Sequence, residues 1–242
     1  MKKLTLGLII ILSLLPKQLT AQGNTGVIAG AAAGVLAIGA GIIASIEDSK
    51  ERAELRATQH VLMNYPELTN FSLKTLDFEG KKLKDMSSVS VISFKVQEFT
   101  PMDEPKLNGK KWVLFGFTSF GWISEQGIDF SKVQWFLIDR TEWMKMMVAY
   151  AKVASAEKNE STLKQKVERG LIDKKGIRNG GSIVVPFYKK MEDDMYLTVD
   201  YSDDIKLVYN ERSLGIFLKK TGNLVQIRNA ELIKTHEYLF EQ

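Results

Sequence analysis

Residues 27–46 form an uncharged run of twenty residues in which small side chains recur at every fourth position. Gly26, Gly30 and Gly34 make one row, and Ala33, Ala37, Gly41 and Ser45 make a second. At about 1.5 Å rise per residue, twenty residues match the ~30 Å hydrocarbon core of a bilayer. Small residues at i, i+4 and i+8 let helix backbones approach closely, as packed helices do in lipid. The run therefore predicts a glycine-zipper membrane helix over 22–46, with Gly26, Gly30, Gly34, Ala37, Gly41 and Ser45 as its helix-packing residues.

Ahead of the zipper, residues 1–21 have the pattern of a secretory signal peptide. Lys2 and Lys3 precede an apolar stretch over 4–15, Pro16 interrupts it, and Ala21 offers a small residue before a cut at Gln22. The chain has no Cys, which closes the lipoprotein route. The whole chain holds 33 basic and 29 acidic residues, a net charge of +4. Three of those lysines leave with the leader, so residues 22–242 carry only +1. That near-neutral balance argues against a nucleic-acid partner.

The zipper is only moderately hydrophobic. Eight of its residues are strongly apolar and twelve are Ala, Gly or Ser. Each Leu or Ile favours insertion by only about −0.3 to −0.6 kcal/mol, so such a segment can escape the inner membrane. Lys50, Arg52 and Arg56 follow it and pull toward a cytoplasmic C-terminus. The expectation is export, with the domain periplasmic and the outer membrane favoured over the inner. Residues 47–65 continue as a helical stalk, with Asp48 and Arg52 at i,i+4 and Ala53 and Ala57 extending the small-residue row. Pro66 is its expected stop.

Residues 66–242 are long enough for one domain with its own core, so a chain beginning near Tyr65 is expected to be soluble and monomeric. Short apolar, β-branched runs over 89–96, 112–122, 133–138, 182–188, 195–201, 205–209, 214–218 and 224–228 predict strands. The segment 177–181 predicts a turn. Thr141 is the expected cap of a helix running to about Ser155, and a second helix covers 162–169 with Gly170 as a left-handed stop. Residues 232–240 fit a strand or a short helix. The pattern predicts an α+β fold: a mostly antiparallel β domain with one helical insertion and its helices on one face. No internal repeat is apparent.

The inventory for chemistry is short. Without Cys there is no thiolate nucleophile or Cys-based zinc site. Of the two histidines, His60 falls in the stalk, and His236 reads as a partly exposed surface residue. No Gly-x-Ser-x-Gly elbow or phosphate-binding Gly-rich loop occurs. The acids at 192–194, Asp200, Asp203 and Asp204 border turns and lack a calcium-loop pattern. No catalytic residues, cofactor or metal are expected.

Alternation over 112–122 sends Val113, Phe115 and Phe117 to one face and Trp112, Leu114, Phe120 and Trp122 to the other. Such a strand is central and covered on both sides, or it presents Trp112, Phe120 and Trp122 to a partner. The expected partners are the membrane, further copies or partner helices, and envelope proteins. This favours a non-enzymatic envelope interaction subunit. An oligomeric pore or transport component and a carboxylate-based envelope hydrolase are the alternatives.

Overall fold

The computed structural model describes residues 40–77, 91–118, 123–124, 127–155, 157–187, 197–209 and 213–240. They form a mostly antiparallel β domain with four helices. The zipper positions Gly26, Gly30, Gly34 and Ala37 lie outside the described residues, whereas Gly41 and Ser45 fall in the first turns of helix α1 (Ala40–Asn64). Among the described residues, no helix is long and apolar enough to cross a membrane.

The first sheet is a four-stranded antiparallel meander of β1 (Phe71–Asp77), β2 (Val91–Glu98), β3 (Lys111–Phe117) and β6 (Gln134–Asp139), in that order. A short hairpin, β4 (Ile123–Ser124) with β5 (Gly127–Ile128), lies between β3 and β6 in sequence. Strand β3 is central, and the predicted alternation is realised. Val113, Phe115 and Phe117 join the main core, whereas Leu114 and the half-buried Trp112 join a second cluster on the opposite face.

That second face is covered by α1. Ala53, Ala57 and Val61 are fully buried against Ile92, Phe94, Val96 and Leu114. The small-residue row of the expected stalk thus seats the helix on a sheet, where short side chains allow close approach. Glu54 fastens it by accepting from the Thr75 backbone N–H at 2.9 Å and the Thr75 hydroxyl at 2.6 Å. Helices therefore cover both faces of this sheet rather than one.

Strand β6 runs without a loop into α2 (Arg140–Ala154). Its cap is Asp139, not Thr141, because the Asp139 carboxylate accepts from the Glu142 N–H at 2.8 Å. Helix α3 (Glu160–Arg169) begins two residues before its expected start and is capped by Asn159. Gly170 ends it in extended rather than left-handed backbone, at φ −87°. Glycine is needed there for space, since a Cβ would lie 2.5 Å from the Lys166 carbonyl oxygen and 2.6 Å from Ile177 Cγ2.

A three-stranded sheet follows: β7 (Leu171–Asp173), β8 (Gly176–Asn179) and β9 (Ser182–Pro186). The turn predicted over 177–181 begins later, at Gly180 and Gly181, both at positive φ, because Ile177 and Arg178 pair with β7 and β9. The second meander contains β10 (Leu197–Asp200), β11 (Ile205–Tyr209), β12 (Ser213–Leu218) and β13 (Asn223–Arg228). Strand β13 runs directly into α4 (Asn229–Phe240), which settles 232–240 as helix.

The domain therefore repeats one plan twice, a four-stranded meander flowing straight into a helix. Glu is the third and Lys the sixth residue of both helices: Glu142 and Lys145 in α2, Glu231 and Lys234 in α4. The helices lean across to the other half. Besides its own sheet, α2 packs on β10, and α4 packs on β1 and β3. One continuous core joins both meanders, α2, α3, α4 and the β7–β9 sheet.

Candidate functional site

Helices α2 and α3 lie head to tail, tied by ion pairs near both ends. Arg140 meets Glu168 at 3.3 Å, and Lys152 meets Glu160. Between these ties and strand β10 opens a groove of about 710 Å³. Its floor is apolar: Met144 and Val148 are buried, and Ala149, Val153 and Val199 are half-buried. The rim carries Arg140, Lys145, Lys152 and Lys164 against Glu160 and Glu168. Both rim acids already hold a cation, and Lys152 keeps the Glu160 carboxyl below the usual carboxylate range. Lys145 pairs with Glu142 at 3.3 Å, whereas Lys164 makes no ion pair among the described residues.

The groove follows from local sequence. Asp139 starts α2 so that its apolar stripe faces the core, leaving Ala149 and Val153 at the stripe's edge. In α3 only Leu163 and Val167 are buried, so Glu160, Lys164 and Glu168 (i, i+4, i+8) line one exposed edge.

A second concentration of polar groups lies beneath α4. Asp77 is bound by Arg228 at 3.1 Å and by Lys234 at 3.6 Å, and Ser93 donates its hydroxyl to Glu231 at 2.8 Å. Burial raises the Glu231 carboxyl to about 8, the negative charge of Asp77 adds to this, and the Ser93 hydrogen bond opposes it. Glu231 is therefore mainly a neutral acid at pH 7. Asp77 and Glu231 are 5% and 3% exposed, so both carboxyls are interior.

His236 is likewise interior, 4% exposed, which corrects its reading as a surface residue. Trp143 Nε1–H donates to His236 Nδ1 at 3.3 Å, the Gly170 backbone bonds the ring, and Phe240 stacks on it at 4.3 Å. Burial lowers its pKa to about 4, so it is a neutral core imidazole. His60 stacks on Trp135 at 5.6 Å, and burial lowers its pKa too.

Of the predicted contact residues, Trp112 packs on the α1 side of the sheet with the Lys110 ammonium 5.4 Å from its ring centroid. Phe120 and Trp122 lie outside the described residues. Asp200 and Asp204 hold Lys219 at 2.8 Å and Lys220 at 3.0 Å. Sequence reasoning missed the groove and the Asp77–Glu231 pair. The available signals were the charge spacing on α3 and the Glu–Lys pair recurring 89 residues apart. No family model matches the chain, and neither a curated protein nor a solved structure matches it.

Proposed function

We propose that this chain is a non-enzymatic protein of the bacterial cell envelope. In this reading the glycine-zipper segment anchors or oligomerises it, and the α+β domain is the binding module of a membrane assembly. The domain is periplasmic, with the outer membrane favoured over the inner. The groove between α2, α3 and β10 carries the reading, being an open cleft with an apolar floor and a charged rim. A cleft of this kind suits retention of a ligand. The groups best equipped for proton transfer serve elsewhere: His236 in the core, Glu231 on Ser93 and Asp77 on two cations. The leader-like residues 1–21 and the small-residue rows over 26–45 support the membrane part.

Crosslinking of the full chain in native membranes tests the assembly. Gly30→Leu with Gly34→Leu should abolish the crosslinked species while the β-sheet circular dichroism persists. Unchanged crosslinks would remove the zipper from the argument. Trp112→Ala, which removes a half-buried ring from the cluster under α1, should lower the melting temperature; an unchanged melting temperature with weakened partner crosslinks would instead make that ring a contact surface. Hydrolytic turnover by the purified chain that disappears in Glu231→Gln would overturn the non-enzymatic reading.

A further inference from the structure

We propose that the α2–α3–β10 groove holds a single-chain anionic amphiphile of the long-chain fatty-acid type. The inference rests on reading the domain as a binding module, and it names what that module binds. The volume of about 710 Å³ falls within the ~300–1,000 Å³ typical of ligand clefts. Arg140 and Lys152, which tie the helices, stand twelve residues apart on α2, so the ties bracket a trough roughly 18 Å long at helical rise.

The floor side chains Met144, Val148, Val153 and Val199 provide no hydrogen-bonding group. A peptide threaded over them would leave its backbone N–H and C=O groups without partners on that floor. It would also have to break an ion pair at each end to pass through. A hydrocarbon tail has no such groups to satisfy, and it gains by leaving water.

Charge selects the head. The two rim acids are occupied by Lys152 and Arg140, so no free carboxylate repels an anion there. Lys145 shares Glu142 at an exposed position, and Lys164 stands midway along the α3 edge without an ion partner among the described residues. A carboxylate above the apolar floor would complete Lys164 with a charge-assisted hydrogen bond. One tail with one negative head meets both features.

The test uses the full chain reconstituted in phosphatidylcholine vesicles, with palmitate carrying a diazirine near its terminal methyl as the probe. After photolysis, labelled peptides are located by mass spectrometry. Label should fall on α2 and β10, and excess palmitate should remove it. Uncharged hexadecanol should compete about tenfold less well, the worth of one charge-assisted contact. Lys164→Glu, an exposed change that leaves the core untouched, should weaken palmitate competition about tenfold by replacing attraction with repulsion. Ala149→Trp should fill the trough and abolish the label while the melting temperature holds.

Label confined to residues 27–46, label that does not saturate, or equal competition by hexadecanol would each overturn the inference. So would an unaltered Lys164→Glu protein. Displacement by an acidic, apolar peptide at lower concentration than palmitate would assign the groove to a peptide and overturn it as well. The zipper crosslinks give a separate readout: assembly without label sinks this inference alone, and label without assembly sinks the assembly reading alone.

Discussion

Glu231→Gln isolates a buried proton. Glu231 is 3% exposed and its carboxyl is raised to about 8 from an ordinary 4.5. The folded protein therefore keeps a proton that the unfolded chain releases, and the stability associated with it is complete below 4.5. It is lost as pH rises toward 8, at about 1.4 kcal/mol per pH unit. His236 has the opposite sign, since its pKa is depressed from 6.5 to about 4. Its contribution is complete above 6.5 and is lost as pH falls toward 4. Between pH 6.5 and 7.5 the Glu231 slope thus outweighs the His236 one, which fades over the same unit. Urea unfolding of residues 48–242, followed by tryptophan fluorescence, should show the parent losing about 1 kcal/mol over that unit, once the last of the His236 contribution is set against it. In Glu231→Gln the amide oxygen still accepts from Ser93 and no proton is at stake, so this loss should disappear. A parent without the slope, or a variant that keeps it, would refute the buried-acid argument.

Three further outcomes follow from packing and titration. A chain beginning at Tyr65, which lacks α1, bares Ile92, Phe94, Val96 and Leu114; it should aggregate on size-exclusion chromatography, whereas residues 48–242 should run as a compact monomer, and equal behaviour would show α1 to be dispensable. Gly176→Ala should lose at least about 3 kcal/mol on chemical denaturation, because φ is +142° and the new Cβ would sit 2.2 Å from the Val185 carbonyl oxygen. Gly222→Ala, at φ +69° with nothing within 4 Å, should lose only about 1–2 kcal/mol, which separates clash from backbone preference. His236→Met should remove the acid sensitivity of the buried ring, so that between pH 6.5 and 4 its stability rises relative to the parent by about 3 kcal/mol.

Local patterns carried α2, α3 and the longer apolar strands, but not β1, whose alternating Phe71–Asp77 includes Ser72, Lys74 and Thr75, nor the short strands β4, β5, β7 and β8. The run over 205–209 coincides with β11, and those over 214–218 and 224–228 lie within one residue of β12 and β13, because β-branched runs between turn residues say the same thing at every level. Alternation in β3 was legible because its period of two sorts Val113 from Leu114 whatever lies above. Docking of α1 was not, since Ala53 and Ala57 at i,i+4 look alike whether the opposing surface is a helix or a sheet. The partnership of Trp143 with His236 spans 93 residues, so the titration state of that histidine lay beyond any local window. The groove was hidden for the same reason. It is the gap left where two helices and an edge strand meet, and no single segment contains it.

The crossing of each helix onto the opposite half sets a schedule for folding. Ser93 waits for Glu231 across 138 residues, and the Val96 carbonyl waits for the Tyr238 hydroxyl across 142. At synthesis rates of ~5–20 residues per second, the stretch from β6 to the end of α4 takes roughly 5–20 s, during which the face of the first sheet opposite α1 lacks its α4 cover. Loop closure over such separations makes the final docking slow as well. Closure of the core is therefore set by α4, whose contacts reach across the most sequence.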